Sequence, residues 1–166
     1  MRKLKITKQE FLKRASAKNI KKMRGHDAPS YEWDIYFDNK KICNCWDDSY
    51  GGELDISNYK GQSIESIYNK IDKESLFDDK YEWTTSLELL MYEVKQIATL
   101  KKDEKKGVMI GQPNFYNIVG FKTSIPTTFK KWSDSKECYQ KIIDKAIKDG
   151  ENILNKDYLS TWGLST

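Results

Sequence analysis

The chain of 166 residues has little of the chemistry on which many enzymes and metal sites depend. It contains three cysteines and one histidine, so a zinc site or a catalytic pair would require Cys43, Cys45 or Cys138 to meet His26 in space. No nucleophile elbow, phosphate-binding glycine loop or paired-histidine motif occurs. We therefore expect no cofactor and no metal, and we expect the cysteines to be free thiols in a reducing cytosol.

Long apolar runs are absent as well. The longest apolar stretch, residues 87–92, is interrupted by a glutamate, which excludes a membrane-spanning helix. Residues 1–10 are basic and lack an apolar stretch, so we expect no secretory signal. Hydrophobic residues make up only 38% of the chain, but aromatic residues reach 13% and can supply the burial that a core requires. The sequence thus predicts one cytoplasmic domain, with a basic helical arm at 1–26 and a body at 27–166.

Arginine is scarce, and the charges are unevenly distributed. The net charge is +4, but residues 1–26 carry +9, residues 27–93 carry −10 and residues 94–166 carry +5. This distribution predicts either neutralisation within the molecule or two partner surfaces of opposite sign. The 29 basic residues include only three arginines, which weakens the case for base readout or bidentate phosphate contacts. The abundance of lysine, isoleucine and asparagine indicates an AT-rich bacterial or phage genome.

Hydrophobic periodicity predicts an α+β fold. A basic helix is expected over 7–24, because Thr7 and Glu10 have the spacing of a capping box and Gly25 can end the helix. Alternating apolar and polar residues predict a strand at 31–38. Further strands are expected near 42–46, 54–56, 108–110 and 116–122, and further helices near 63–73, 85–103 and 134–149. We expect a single domain in which an antiparallel sheet of three to five strands packs against the two longer helices.

The strongest periodic segments are expected to share one core. Their inner faces carry seven apolar residues that we expect to be buried together, namely Trp33, Ile35, Leu90, Val94, Ile97, Ile142 and Ile143. Cys43 and Cys45 lie on one face of a predicted strand and are expected to be small buried side chains rather than ligands or a disulfide. The tail after Gly150 still carries apolar residues, so we expect it to pack onto the body.

The segment between the second and third predicted strands concentrates carboxylates, aromatic rings and a Gly-Gly pair. The candidate partner-binding residues are Trp46, Asp47, Asp48, Tyr50, Glu53 and Asp55. Tryptophan and tyrosine often anchor protein interfaces, and the acids would form a polar rim around them.

Two other interpretations of this acidic turn remain open. One is a tight surface turn with Gly51 or Gly52 at positive φ and no bound ion. The other is a metal-dependent hydrolase or nuclease, in which the acids and Lys60 would act on a substrate together with a cation. The spacing of the acids does not match a calcium-binding loop.

The basic N-terminal arm is the second candidate binding region. Its residues are Lys8, Lys13, Arg14, Lys18, Lys21, Lys22 and Arg24. On a helix they would form a broad basic face beside a narrow apolar stripe. Such a face would attract nucleic-acid phosphates, a protein partner or the acidic middle of the chain itself.

Together these features favour a small non-enzymatic binding protein of the bacterial or phage cytosol. A protein is the expected partner, and a phage-encoded inhibitor of a host defence complex is the most specific form of this hypothesis. Nucleic-acid binding through the basic helix is the first alternative, and a metal-dependent hydrolase at the acidic turn is the second. No membrane contact is expected, and the pattern favours no particular oligomeric state.

Overall fold

The computed structural model has the predicted α+β fold, with strands that form two antiparallel sheets. It describes residues 5–25, 27–76, 86–113, 115–120 and 129–166. The strands are β1 (Ala15–Met23), β2 (Ser30–Phe37), β3 (Lys40–Asp47), β4 (Asp55–Asn58), β5 (Gly107–Gln112) and β6 (Phe115–Gly120). The helices are α1 (Lys8–Arg14), α2 (Ile64–Tyr68), α3 (Leu87–Asp103), α4 (Phe129–Lys148) and α5 (Lys156–Thr161), with a 3-10 helix at Glu74–Leu76. The fold divides into two compact units, one ending at Ala98 and the other beginning at Thr99.

The N-terminal segment differs from the predicted helix over 7–24. The capping box is present, because the Glu10 N–H donates to the Thr7 hydroxyl at 3.1 Å and the Thr7 N–H donates to the Glu10 carboxylate at 2.7 Å. However, the helix ends at Arg14, and the chain continues as β1, which pairs antiparallel with β2. The prediction is wrong from residue 15 onward, because strand pairing satisfies the backbone there and tertiary contacts override the local helical pattern.

In the first unit, β1, β2, β3 and β4 form one antiparallel sheet in that order. The turn between β2 and β3 places Asp38 at φ 48° and Asn39 at φ 64°, as a two-residue hairpin turn with the twist of the strands requires. Strand β1 changes register between Lys18 and Lys21, and Asn19 in this β-bulge has φ 54°. The antiparallel meander that the sequence predicted from residue 31 onward is therefore extended by an additional edge strand.

The core of the first unit lies on the inner face of this sheet. Leu90 and Val94 of α3 are buried in the same cluster as Trp33 and Ile35, which confirms that part of the predicted core. Ile97 is 37% exposed, so its predicted burial is wrong. The two strand cysteines are free thiols and buried, as expected.

The second unit has its own core around the hairpin of β5 and β6. Tyr139, Ile143 and Ala146 of α4 are buried with Val108 of β5, and Ile142 is partly buried against them. Ile142 and Ile143 thus belong to a different cluster from Trp33 and Leu90, so the predicted burial of all seven apolar residues in one shared core is wrong. The helical period identifies an apolar face but does not identify the surface that covers it.

The C-terminal tail packs against the rest of the chain, as the sequence predicted, and its apolar residues belong to this second core. Ile153, Leu159 and Leu164 are buried there. The buried side chain of Asn155 accepts the Met109 N–H at 3.1 Å and donates to the Gly107 carbonyl at 2.8 Å. In the part of the chain that the structure describes, no helix has both the length and the apolarity needed to cross a membrane.

Candidate functional site

The outer face of the four-stranded sheet carries an ordered set of polar and aromatic side chains. Lys21, Glu32, Trp46 and Asp55 occupy directly paired positions on β1, β2, β3 and β4. Residues paired across neighbouring strands point to the same face, so these four side chains form one row across the sheet. The row places the Trp46 ring between two carboxylates.

The neighbouring row is centred on Asp34, a residue of which only 6% is exposed. The Asp34 side chain accepts hydrogen bonds from Asn19 Nδ2 at 2.8 Å and Asn44 Nδ2 at 3.0 Å, and Lys41 Nζ lies 2.9 Å from it. Burial alone would raise the pKa of Asp34, but these three partners outweigh it and hold the pKa below its usual value. Asp34 thus links β1, β2 and β3 through its side-chain contacts, in the row next to the one that contains Trp46.

Trp46 is 50% exposed, whereas the residues on either side of it along β3 point to the core side of the sheet. Tyr50, in the turn that follows, is 68% exposed. An indole on a rigid strand loses little conformational entropy when a partner covers it, and tryptophan is strongly enriched among the residues that dominate interface energies. These two rings and the exposed carboxylates of Asp48, Glu53 and Asp55 together make up what we call the Trp46 patch.

The turn after β3 is held by local hydrogen bonds of the kind that its aspartates predict. The Ser49 N–H donates to the Asp47 carboxylate and the Tyr50 N–H donates to the Asp48 carboxylate, each at 2.9 Å. Gly51 has φ 74°, which confirms the predicted positive φ in a surface turn. The local hydrogen bonds of the two aspartates therefore hold the exposed ring of Tyr50 in a defined turn.

Asp47 does not belong to the Trp46 patch, although the sequence grouped it there. It follows Trp46 along the strand, so its side chain lies on the opposite face, where the Tyr92 hydroxyl donates to it. Burial together with this hydrogen bond raises the pKa of Tyr92. Close by, the Lys95 ammonium lies 4.0 Å from the ring centre of Tyr31 and 4.6 Å from that of Trp33, and burial lowers the pKa of Lys95.

The exposed carboxylates of the Trp46 patch lack the ion pairs that Glu32, Asp34, Asp38 and Glu93 form in the same unit, as far as the described residues go. Within the described residues, Asp48, Glu53 and Asp55 are in no ion pair. The patch therefore presents a negative charge beside its aromatic rings. A surface of this kind is complementary to a basic partner.

The basic arm, by contrast, is partly neutralised within the molecule. Lys8 Nζ lies 2.8 Å from a carboxylate oxygen of Glu93, and Lys21 Nζ lies 3.2 Å from one of Glu32. Arg14 makes a two-point contact with Asp38, at 2.9 Å from Nε and 2.5 Å from Nη2. The other members of the predicted basic face remain exposed, namely Lys13, Lys18, Lys22 and Arg24.

The described residues do not assemble a metal site. Among them, no group of three or more histidine, cysteine, aspartate or glutamate side chains is arranged to hold a metal ion. His26, the only imidazole in the chain, lies outside the described residues. Lys60, which the hydrolase interpretation needed, is exposed in the segment that follows β4.

Glu32 and Asp34 of this face were not identified as site residues from the sequence. Glu32 flanks Trp46 and accepts a hydrogen bond from Asn44 Nδ2 at 3.2 Å, and Asn44 in turn also contacts Asp34. The alternation along β2 already placed Glu32 and Asp34 on one face. Their position beside Trp46 follows from the register of β2 with β3, which no local pattern encodes.

Comparison with known proteins finds no matching family model, no similar curated protein and no similar solved structure.

Proposed function

We propose that this chain is a non-enzymatic protein-binding module that engages a basic partner surface through the Trp46 patch. The observation that carries the proposal is the half-exposed indole of Trp46 on a central strand of the sheet, paired directly with Asp55 on one side and Glu32 on the other. Large aromatic rings fixed on rigid elements commonly dominate binding energy, and flanking charges set orientation and partner choice.

The sign of the charge supports a protein partner over nucleic acid at this face. Asp48, Glu53 and Asp55 would repel phosphate, whereas they would attract lysine or arginine side chains. Lys8, Arg14 and Lys21 of the basic arm are already paired with acids of the chain itself. Neutralisation within the molecule therefore accounts for part of the charge that suggested nucleic-acid binding.

A protein that works through such a face acts by occupying its partner, as an accessory or inhibitor protein does. An inhibitor encoded by a phage and directed at a host defence complex is the form of this proposal that the AT-rich composition favours. A bacterial lysate is therefore the appropriate source in which to search for the partner.

The test combines capture with reconstitution. The full chain and its Trp46→Ser variant are immobilised, bacterial lysate treated with nuclease is passed over both, and retained proteins are identified by mass spectrometry. We expect a protein that is retained by the unmodified chain and absent with Trp46→Ser. The same protein, once purified, should bind the chain with a defined stoichiometry, and Trp46→Ser should weaken binding by at least about thirtyfold, as truncation of an interface anchor does.

Phe115→Ser provides the matched control, because Phe115 is also a large exposed ring, 82% exposed on β6. This variant should retain the partner as the unmodified chain does. Retention that is equal in Trp46→Ser and the unmodified chain would contradict the proposal, as would a protein that is retained from untreated lysate and lost from the nuclease-treated lysate.

A further inference from the structure

This inference rests on the proposed function and concerns the chemistry of the partner. We propose that the Trp46 ring receives an arginine side chain of the partner protein, with the guanidinium stacked on the indole between the carboxylates of Glu32 and Asp55. The direct pairing of Glu32 with Trp46 and of Trp46 with Asp55 places all three groups on one face at neighbouring positions.

The chain's own side chains repeatedly adopt this type of contact on other rings of the first unit. Lys18 Nζ lies 4.5 Å from the ring centre of Tyr36, and Lys41 Nζ lies 5.3 Å from that of Tyr59. In the part of the chain that the structure describes, no cation lies over Trp46. Indole is the aromatic ring that attracts cations most strongly, so Trp46 is the ring best suited to a cation supplied by a partner.

The preference for arginine over lysine follows from geometry. Arg14 shows the arrangement within this chain, because its guanidinium lies 4.5 Å from the ring centre of Phe37 while two of its nitrogens contact the Asp38 carboxylate. A planar guanidinium can stack on a ring and donate in its own plane to a carboxylate at the ring's edge. An ammonium group has no plane and cannot make both contacts in this way.

Charge complementarity extends beyond the central ring. Glu32 already receives hydrogen bonds from Lys21 and Asn44, so Asp55 carries most of the unpaired charge beside Trp46. Asp48 and Glu53 lie on the exposed turn that joins β3 to β4. A partner segment with one arginine at the ring and further basic residues toward the turn would match this distribution.

The experiment uses the full chain labelled with nitrogen-15 and follows the indole N–H signal of Trp46 by nuclear magnetic resonance. The probes are N-acetyl-arginine amide, N-acetyl-lysine amide and N-acetyl-citrulline amide, and citrulline is the uncharged analogue of arginine with almost the same shape. We expect a saturable shift of the Trp46 signal with the arginine probe, a weaker one with lysine and none with citrulline. Asp55→Asn should weaken arginine binding about fivefold, because it removes a charge-assisted hydrogen bond.

The matched control is Glu151→Gln, which removes an exposed carboxylate of the second unit and should leave arginine binding unchanged. Equal shifts with arginine and citrulline, equal binding of arginine and lysine, or no saturable shift would each overturn the inference. A shift that grows with protein concentration alone and disappears in Arg24→Gln would also overturn it, because the occupant would then be a second copy of the chain. The capture experiment can succeed while this titration fails, so failure of the arginine inference is distinguishable from failure of the proposed function.

Discussion

At the scale of single residues, Asp34 shows how a charge can be buried on the outer face of a sheet. Its carboxylate receives hydrogen bonds from Asn19 on β1 and Asn44 on β3, and an ion pair from Lys41. Asn19 is the bulge residue with positive φ, so its bond to Asp34 fixes the irregular part of the edge strand. A buried carboxylate is tolerated only where partners replace the water that it loses.

Replacing Asp34 by asparagine should destabilise the protein by about 1–3 kcal/mol, because it removes the ion pair with Lys41 and places two amide N–H donors in a buried site that already faces the donors of Asn19 and Asn44. The effect should depend on pH in a defined direction. The folded pKa of Asp34 is lowered, so its contribution is fully present above the unfolded value of about 3.9 and disappears as pH falls through the folded pKa. Urea unfolding at several pH values measures both effects.

Asp48→Asn is the control for this substitution. Asp48 is exposed and, among the described residues, its carboxylate accepts only from the backbone of its own turn, which asparagine can also do. Its unfolding free energy should change by less than about 0.5 kcal/mol, as at most surface positions. If Asp34→Asn behaved in the same way, the network around Asp34 would have no role in stability.

At the scale of secondary-structure elements, the hydrophobic pattern of the sequence agrees with the structure in α3 and disagrees with it in β1. The apolar stripe of α3 agrees with its helical period, and Leu90, Met91 and Val94 are buried. The stretch 15–23 has comparable helical signals but forms an edge strand. Its lysines at positions 18 and 21 pair across the ladder with Asp34 and Glu32, so the opposite charges of the neighbouring strand favour the extended conformation.

Adjacent leucines on α3 offer a sharp test of its packing. Leu90 is fully buried in the first core, whereas Leu89 is 56% exposed. Leu90→Ala should lower the free energy of unfolding by about 2–5 kcal/mol through reduced burial and the resulting cavity, while Leu89→Ala should change it by less than about 0.5 kcal/mol. Denaturant unfolding of both variants measures the difference, and equal effects would contradict the orientation of α3.

At the scale of the whole molecule, the net charge of +4 hides a separation of opposite charges. Lys8, Arg14 and Lys21 form ion pairs with acids of residues 27–93, and these ion pairs neutralise part of the positive charge of the N-terminal segment. The Trp46 patch keeps acids that have no cationic partner within the described residues. The molecule therefore has a partly neutralised basic region and an acidic surface patch in the same unit.

This distribution predicts weak binding of nucleic acids. At physiological salt we expect dissociation constants of about 10⁻⁴–10⁻⁶ M for duplex and single-stranded DNA, as for nonspecific binding to phosphates. Replacing the exposed Lys13, Lys18 and Lys22 by glutamine should flatten the log–log salt dependence by about 0.7–0.9 for each phosphate that the variant no longer neutralises. A gel-shift titration over a range of salt concentrations measures this slope.

Tight DNA binding that is abolished in the triple variant would contradict this expectation. It would identify the basic arm, and not the Trp46 patch, as the principal binding surface. Lys101 and Lys102 at the end of α3 provide the control pair, because they are also exposed and their substitution removes charge outside the arm.

Much of the first unit could be predicted because its signals are local. The alternation in β2 and the capping box at Thr7 each depend on residues within a few positions of one another. The stripe of α3 and the turn at Gly51 belong to the same class. Neighbouring residues share one backbone path, so steric preference and short-range hydrogen bonds are sufficient to specify these features.

The sequence by itself thus determined the α+β class, the acidic turn and the identity of Trp46 and Tyr50 as candidate anchors. Only the tertiary structure decided that residues 15–23 form a strand, that α4 belongs to a second core and that Asp47 turns away from the site. It also placed Glu32 beside Trp46. These outcomes depend on strand register and on which apolar faces meet, and both are set by contacts between residues far apart in the chain.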